Sequence, residues 1–152
     1  MTQNDKDILL KDLCARLPYG VKIAMPGLWD SSEITIEPFE EIFKGDDGVF
    51  RVNGNGHCIE YIKPYLFPLS SMTEEQRIEL YKVLGLGYES HYHLSKEWED
   101  FNDSIDNNGL FLPASWVSDL NKMYNWLNKN NFDYQGLIPM GLANDATGLN
   151  IY

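Results

Sequence analysis

His91-Tyr92-His93 is the segment of this sequence with the residue types for metal chemistry. Side chains two apart in an extended segment share a face, so both imidazoles could ligate one Zn²⁺. Two ligands do not make a site, because zinc takes three or four from the protein. Glu97 or Asp100 could add a carboxylate from the helix that follows, and the set would then suit a small metal-dependent hydrolase or nuclease-like enzyme. Nothing in the spacing demands that convergence, and an exposed loop rich in His and Tyr accounts for the segment as well. His91 and His93 are therefore the candidate metal ligands, and no cofactor is expected.

Residues 97–108 hold five acids and no base, which invites a calcium reading. The register fails. An EF-hand loop starting at Asp100 puts Asn102 at position three, but Ile105 where glycine makes the sharp turn and Phe111 where the bidentate Glu belongs. A solvated acidic helix is the expected structure. Gly54-Asn55-Gly56 lacks the third glycine of a dinucleotide fingerprint and reads as a turn, and no phosphate loop, zinc-protease motif or nucleophile elbow is present. Cys58 has His57 as its neighbour, and adjacent strand residues face opposite ways, so His57 cannot serve as its base. Cys14 and Cys58 are the only cysteines, share no metal-type spacing and read as small buried hydrophobes.

The elements that would position any such group follow from periodicity. From Asp5 to Leu17, Leu9, Leu10, Leu13, Cys14 and Leu17 form the stripe of an amphipathic helix, which Pro18 ends. Val21 and Ile23, then Ile34 and Ile36, alternate with polar or small residues and predict strands, with turn residues and Leu28-Trp29 between them. Val49 to Val52, the run Asn53-Gly54-Asn55-Gly56 and His57 to Ile62 predict a β-hairpin, because Asn and Gly tolerate the positive φ of tight turns. Pro64 and Pro68 should end its second strand or confine it to an edge.

Past Ser70 the pattern is helical. Thr73 with Gln76 fits a capping box, Ile78, Tyr81, Val83 and Leu84 form a buried side, and Gly85 is a stop. A second helix near Ser95 would carry Trp98 and Phe101. A third, opened by Pro113, would bury Trp116, Val117, Leu120, Met123, Tyr124 and Leu127. The expected fold is thus a single α+β domain over 1–152. It has an N-terminal helix and a four-stranded antiparallel sheet, open or curled toward a small barrel, in a sheet-rich 19–66. Two or three helices follow in a helix-rich 72–130, then an irregular apolar tail at 131–152 with 144–152 fraying.

Charge narrows the function. The chain of 152 residues has 23 acidic and 12 basic side chains, a net −11 spread over its whole length without a basic tail. Gripping nucleic acid requires Lys and Arg to displace counterions from phosphates, so direct nucleic-acid binding is disfavoured, as is an anionic membrane surface. A basic protein would be attracted and steered. No stretch approaches the roughly 20 apolar residues of a membrane span, and the N-terminal run Ile8-Leu9-Leu10 does not read as a signal peptide. Most of the nine Tyr, seven Phe and four Trp must fill the core, but nine tyrosines in an acidic protein leave room for an exposed Tyr/Trp surface. Acid with exposed aromatic suits a surface that grips a basic protein, in the extreme by imitating nucleic-acid phosphates.

Three blocks have a familiar look: Asp12 to Lys22, Ile59 to Gln76 and Met123 to Ala143. They resemble a family of short hypothetical proteins of phages, prophages and mobile elements of gut bacteria. The resemblance implies a genomic setting and a bacterial cytoplasm, and it carries no activity. This chain departs from the pattern at Phe67 and Gln135, where arginine is expected, so no anionic contact is carried over. The expected function is that of a non-enzymatic acidic accessory protein of such an element, binding a protein partner that is basic or nucleic-acid-binding. The alternative is the hydrolase or nuclease-like enzyme built on His91 and His93.

Overall fold

The computed structural model describes residues 1–27, 32–54, 57–84, 96–109 and 120–152. In chain order the elements are α1 (Gln3–Arg16), β1 (Lys22–Pro26), β2 (Ile34–Pro38), β3 (Ile42–Lys44), β4 (Phe50–Val52), β5 (His57–Cys58), β6 (Lys63–Pro68), α2 (Glu74–Val83), α3 (Lys96–Asp106), α4 (Leu120–Lys129), β7 (Phe132–Asp133) and β8 (Asn144–Asp145). The chain is α+β with an N-terminal helix. Its contacts group into two compact units, Met1–Leu66 with Leu137–Tyr152 and Phe67–Gly136. The segment read as one tail, 131–152, is shared between them.

In the first unit, α1 starts earlier than the apolar stripe suggests because Thr2 caps it. The Thr2 hydroxyl accepts the Asp5 N–H at 3.2 Å, and the Asp5 carboxylate accepts the Thr2 N–H at 2.8 Å. Leu9 and Leu13 are buried, and so are Asp12 and Arg16, whereas Cys14 is exposed, contrary to expectation. Residues 9, 12, 13 and 16 lie on one helical face, and Cys14 is turned about 100° away from Leu13. A 3-10 turn at Leu17–Tyr19 and Gly20 in the left-handed region (φ 68°) swing the chain into β1.

β1 pairs antiparallel with β2 from Lys22↔Pro38 to Pro26↔Ile34, and with β6 at Ile23↔Pro64 and Ala24↔Lys63. β6 is therefore an interior strand rather than an edge. It tolerates Pro64 because that residue lies opposite Ile23, whose N–H and C=O are turned to β2, so the position needs no N–H toward β1. On its other side β6 pairs parallel with β8, Tyr65↔Asn144 and Leu66↔Asp145. The sheet is thus mixed, and among the described residues no sheet closes into a barrel.

A second, three-stranded sheet runs β3-β4-β5. Its β4–β5 hairpin forms as predicted, with Asn53 at φ 49° and Gly54 at φ 62°. The second strand is shorter than expected: after Cys58 the chain makes a 3-10 turn over Ile59–Tyr61. In a strand, Ile59 and Ile62 would face opposite ways, whereas a three-residue turn brings both inside. Both join the core of this unit with Leu9, Leu13, Val21, Ile23, Met25, Phe39, Val52, Leu66 and Leu137.

The C-terminal residues are anchored where fraying was expected. The Ala146 N–H donates to the Leu66 C=O at 2.8 Å, and the Tyr152 hydroxyl donates to the Tyr65 C=O at 2.6 Å while accepting the Lys22 N–H at 3.0 Å.

In the second unit the capping box at α2 is present in both directions: the Thr73 N–H donates to Gln76 at 2.9 Å and the Gln76 N–H to the Thr73 hydroxyl at 3.3 Å. Arg77 ties α2 to α3, donating to Asn102 at 3.0 Å and to Asp106 at 2.5 Å. The acidic stretch is the helix α3, which buries Trp98, Phe101 and Ile105 and exposes Glu99, Asp100 and Asp103. Tyr81, Trp98 and Phe101 meet at centroid distances of 5.2 to 5.6 Å. On α4, Leu120 and Tyr124 are exposed rather than buried, and Met123, Trp126 and Leu127 pack inside, where Trp126 stacks on Phe132 of β7. β7 pairs parallel with the last two residues of β6. The expectations for Leu28, Trp29, Gly85, Ser95, Pro113, Trp116 and Val117 lie outside the described residues.

Candidate functional site

The β1–β2 ladder has a fixed parity. The Gly27 N–H donates to the Glu33 C=O at 2.7 Å, and the Phe39 N–H donates to the Val21 C=O at 2.8 Å. Hydrogen-bonded and non-hydrogen-bonded pairs alternate along an antiparallel ladder, so Met25/Thr35 and Ile23/Glu37 are hydrogen-bonded pairs. Pro26/Ile34, Ala24/Ile36 and Lys22/Pro38 are not. Both prolines thus occupy positions where no N–H is needed, and the Lys22 N–H points away from β2, where it meets Tyr152.

Side-chain facing follows from the same register, since directly paired residues share a face. Ile23 and Met25 are buried in the core, and their partners Glu37 and Thr35 lie on that side of the sheet. Ile34 and Ile36 lie on the opposite side, outward, at 63% and 44% exposure. The apolar residues of β2 therefore face outward, while Thr35, itself exposed, and the half-buried Glu37 lie on the core side. Pro26 and Tyr61 (62% exposed) extend this outer surface, and a concavity of about 250 Å³ is lined there by Ala24, Pro26, Ile34, Tyr61, Lys63 and Asn144.

Acids are frequent in the sequence of β2 and the residues after it. Residues 33–47 contain Glu33, Glu37, Glu40, Glu41, Asp46 and Asp47 against Lys44 alone. Glu33, Glu40, Glu41, Asp46 and Asp47 are exposed, and so are Phe43 and Val49. Asp47 is held by Arg51 through paired hydrogen bonds of 2.8 and 2.6 Å, and the guanidinium keeps its carboxyl well below the usual carboxylate range. The remaining acids give the surface its charge.

A second cleft, about 340 Å³, lies between the start of α1, the β3–β4 turn and residues 58–60. Lys6 and Glu60 form an ion pair across it, the hydrogen bond between them holding the Lys6 ammonium up and the Glu60 carboxyl down from their ordinary values. The Lys44 ammonium sits 5.8 Å from the Phe50 ring centroid. The cations of this cleft are thus engaged from within the unit. Cys58 lines it, half-buried.

His91 and His93 lie outside the described residues. Asp100 is exposed on α3, and among the described residues no group of three or more His, Cys, Asp and Glu comes together. No described helix is long and apolar enough to cross a membrane. The outward face of β2 escaped sequence reasoning because Ile-Thr-Ile-Glu gives a strand without saying which side the core takes. The signal was there in Lys22-Ile23-Ala24-Met25: its apolar residues at 23 and 25 claim the inner face, and the register then puts the isoleucines outside. Comparison with protein-family models, curated proteins and solved structures finds no match for this chain.

Proposed function

We propose that this chain is a non-enzymatic accessory protein that acts by binding a basic protein, with the outer face of β1 and β2 as the contact. The observation that carries the reading is the facing of β2, which exposes Ile34 and Ile36 on the outer side of a strand whose Glu33 and Glu37 lie on the other side. Solvent-exposed apolar side chains grouped on one rigid element mark interaction surfaces, and net −11 selects a partner of opposite sign. The setting, a phage or mobile element in a bacterial cytoplasm, rests on the resemblance of the three sequence blocks.

The test is capture from bacterial lysate by the wild-type chain and by an Ile34→Glu/Ile36→Glu variant. Both positions are exposed, so the variant keeps the fold. A basic protein retained by the wild type and lost by the variant is the expected result. Retention of the same proteins by both chains would remove this face from the function.

A further inference from the structure

We infer that the free edge of β2 receives an extended basic segment of the partner as an added strand, apolar side chains beside Ile34 and Ile36 and Lys or Arg beside Glu33 and Glu37. The inference rests on the protein-binding reading above and specifies its mode. Because Ile34 and Ile36 occupy non-hydrogen-bonded positions against β1, their N–H and C=O groups point away from it, in the plane of the sheet. Among the described residues β2 has no other strand beside it. The edge has a definite end: the Pro38 C=O is taken by the Asn53 side-chain amide at 2.7 Å. What remains is two donors and two acceptors, the complement of one short strand.

The same register dictates the occupant's sequence. Residues of an added strand directly opposite Ile34 and Ile36 place their side chains on the outer face, where the isoleucines offer β-branched apolar neighbours. Residues opposite Glu33, Thr35 and Glu37 place theirs on the other face, beside two carboxylates. A second copy of this chain would bring Glu33 and Glu37 against their own kind at net −11 each, so like charge disfavours self-pairing. A segment alternating β-branched apolar residues with Lys or Arg satisfies both faces and the charge.

The probe is a blocked peptide of valine alternating with lysine or arginine, about six residues long, a typical strand length. Three companions accompany it: one with glutamate for the bases, one N-methylated at alternate residues so that one hydrogen-bonding edge is lost, and one with the bases kept and serine for valine. Amide hydrogen exchange is followed by NMR. At peptide about ten times its Kd, exchange at the Ile34 and Ile36 amides should slow about tenfold, while the Thr35 amide, already bonded to β1, changes little. The companions should bind at least about tenfold more weakly, roughly the loss of one or two net hydrogen bonds or cross-strand pairs.

An Ile36→Pro variant should fold, because it removes only an outward N–H, and should lose the protection at Ile34. If it does not fold, the N-methylated peptide decides the same point. Binding without protection of these amides would overturn strand addition and leave the basic-partner reading intact. No binding of the basic peptide to the folded chain would also overturn it, and the Ile34→Glu/Ile36→Glu capture would then judge that reading alone. Equal binding of the glutamate peptide would overturn the assignment of a basic occupant.

Discussion

Asp12 and Arg16 are fully buried on the inner face of α1, joined by hydrogen bonds of 2.7 and 2.9 Å in a two-pronged pair one turn apart. Neither charge could be buried alone. Their mutual neutralisation admits them to the inner face of the helix beside Leu9 and Leu13. The spacing of Asp and Arg by four was legible, but a count of apolar residues passes over charged ones. Asp12→Ala should destabilise the protein by about 3–5 kcal/mol, the cost of leaving a buried guanidinium without its counter-charge, whereas Asp12→Leu/Arg16→Met should be close to neutral. Urea denaturation of both variants checks this, and an exposed pair would give losses below about 1 kcal/mol for the single change. Tyr152 offers a smaller effect at the same scale. Its ring is partly exposed but its hydroxyl is held between the Lys22 N–H and the Tyr65 C=O, and burial pushes its pKa up to about 12. Tyr152→Phe should cost about 1–2 kcal/mol in the same denaturation assay.

Elements were legible wherever a local interaction fixes them. The Thr73 capping box, the positive-φ turn at Asn53-Gly54 and the helical period that carries Trp98 and Phe101 are set by a few successive residues, and all three are present. Thr73→Ala, which removes the hydroxyl from the Gln76 N–H, should lower stability by about 1 kcal/mol and reduce the helical circular dichroism signal first on heating. Facing and pairing were not legible, because distant residues decide them. Pro64 marks a strand end or edge by its type alone, and only its place opposite Ile23 of β1 makes it admissible inside a sheet. Leu120 and Tyr124 matched the apolar period of α4, yet Trp126 and Met123 set the buried face. On β2 the alternation gives the strand, and its facing comes from β1, whose Ile23 and Met25 claim the inner face. Thr35→Pro and Ile36→Pro, adjacent changes, should therefore separate. The first removes an N–H that bonds β1 and should cost about 1–3 kcal/mol, and the second should cost less. Equal losses in thermal unfolding would contradict the parity of the ladder.

At the scale of the whole molecule two charge effects oppose each other, and their pH ranges separate them. At neutral pH the excess of acids repels itself, so added salt should raise stability, and protonation on acidification should at first do the same. Against this stand the carboxylates stabilised in the fold. Asp47 is held down by Arg51, Glu60 by Lys6, Asp5 by the Thr2 N–H and Glu75 by its own N–H at the start of α2. A carboxyl group whose pKa is depressed on folding contributes stability above its unfolded value, near about 4, and loses it as the pH falls through the folded value. Tyr152 acts at the other end: its raised pKa favours the neutral hydroxyl in the fold, a contribution present below about pH 10 and lost on the way to about 12. Stability should therefore peak in mildly acidic solution, fall steeply below about pH 4 and fall again in strong alkali. Asp47→Asn should flatten the acid limb and Tyr152→Phe the alkaline one, each leaving the other limb in place. Denaturation midpoints measured across pH, with and without salt, read both limbs. Midpoints still rising as the pH drops through the carboxylate range would mean that self-repulsion outweighs these pairs, and that the acids serve the partner's charge rather than the fold.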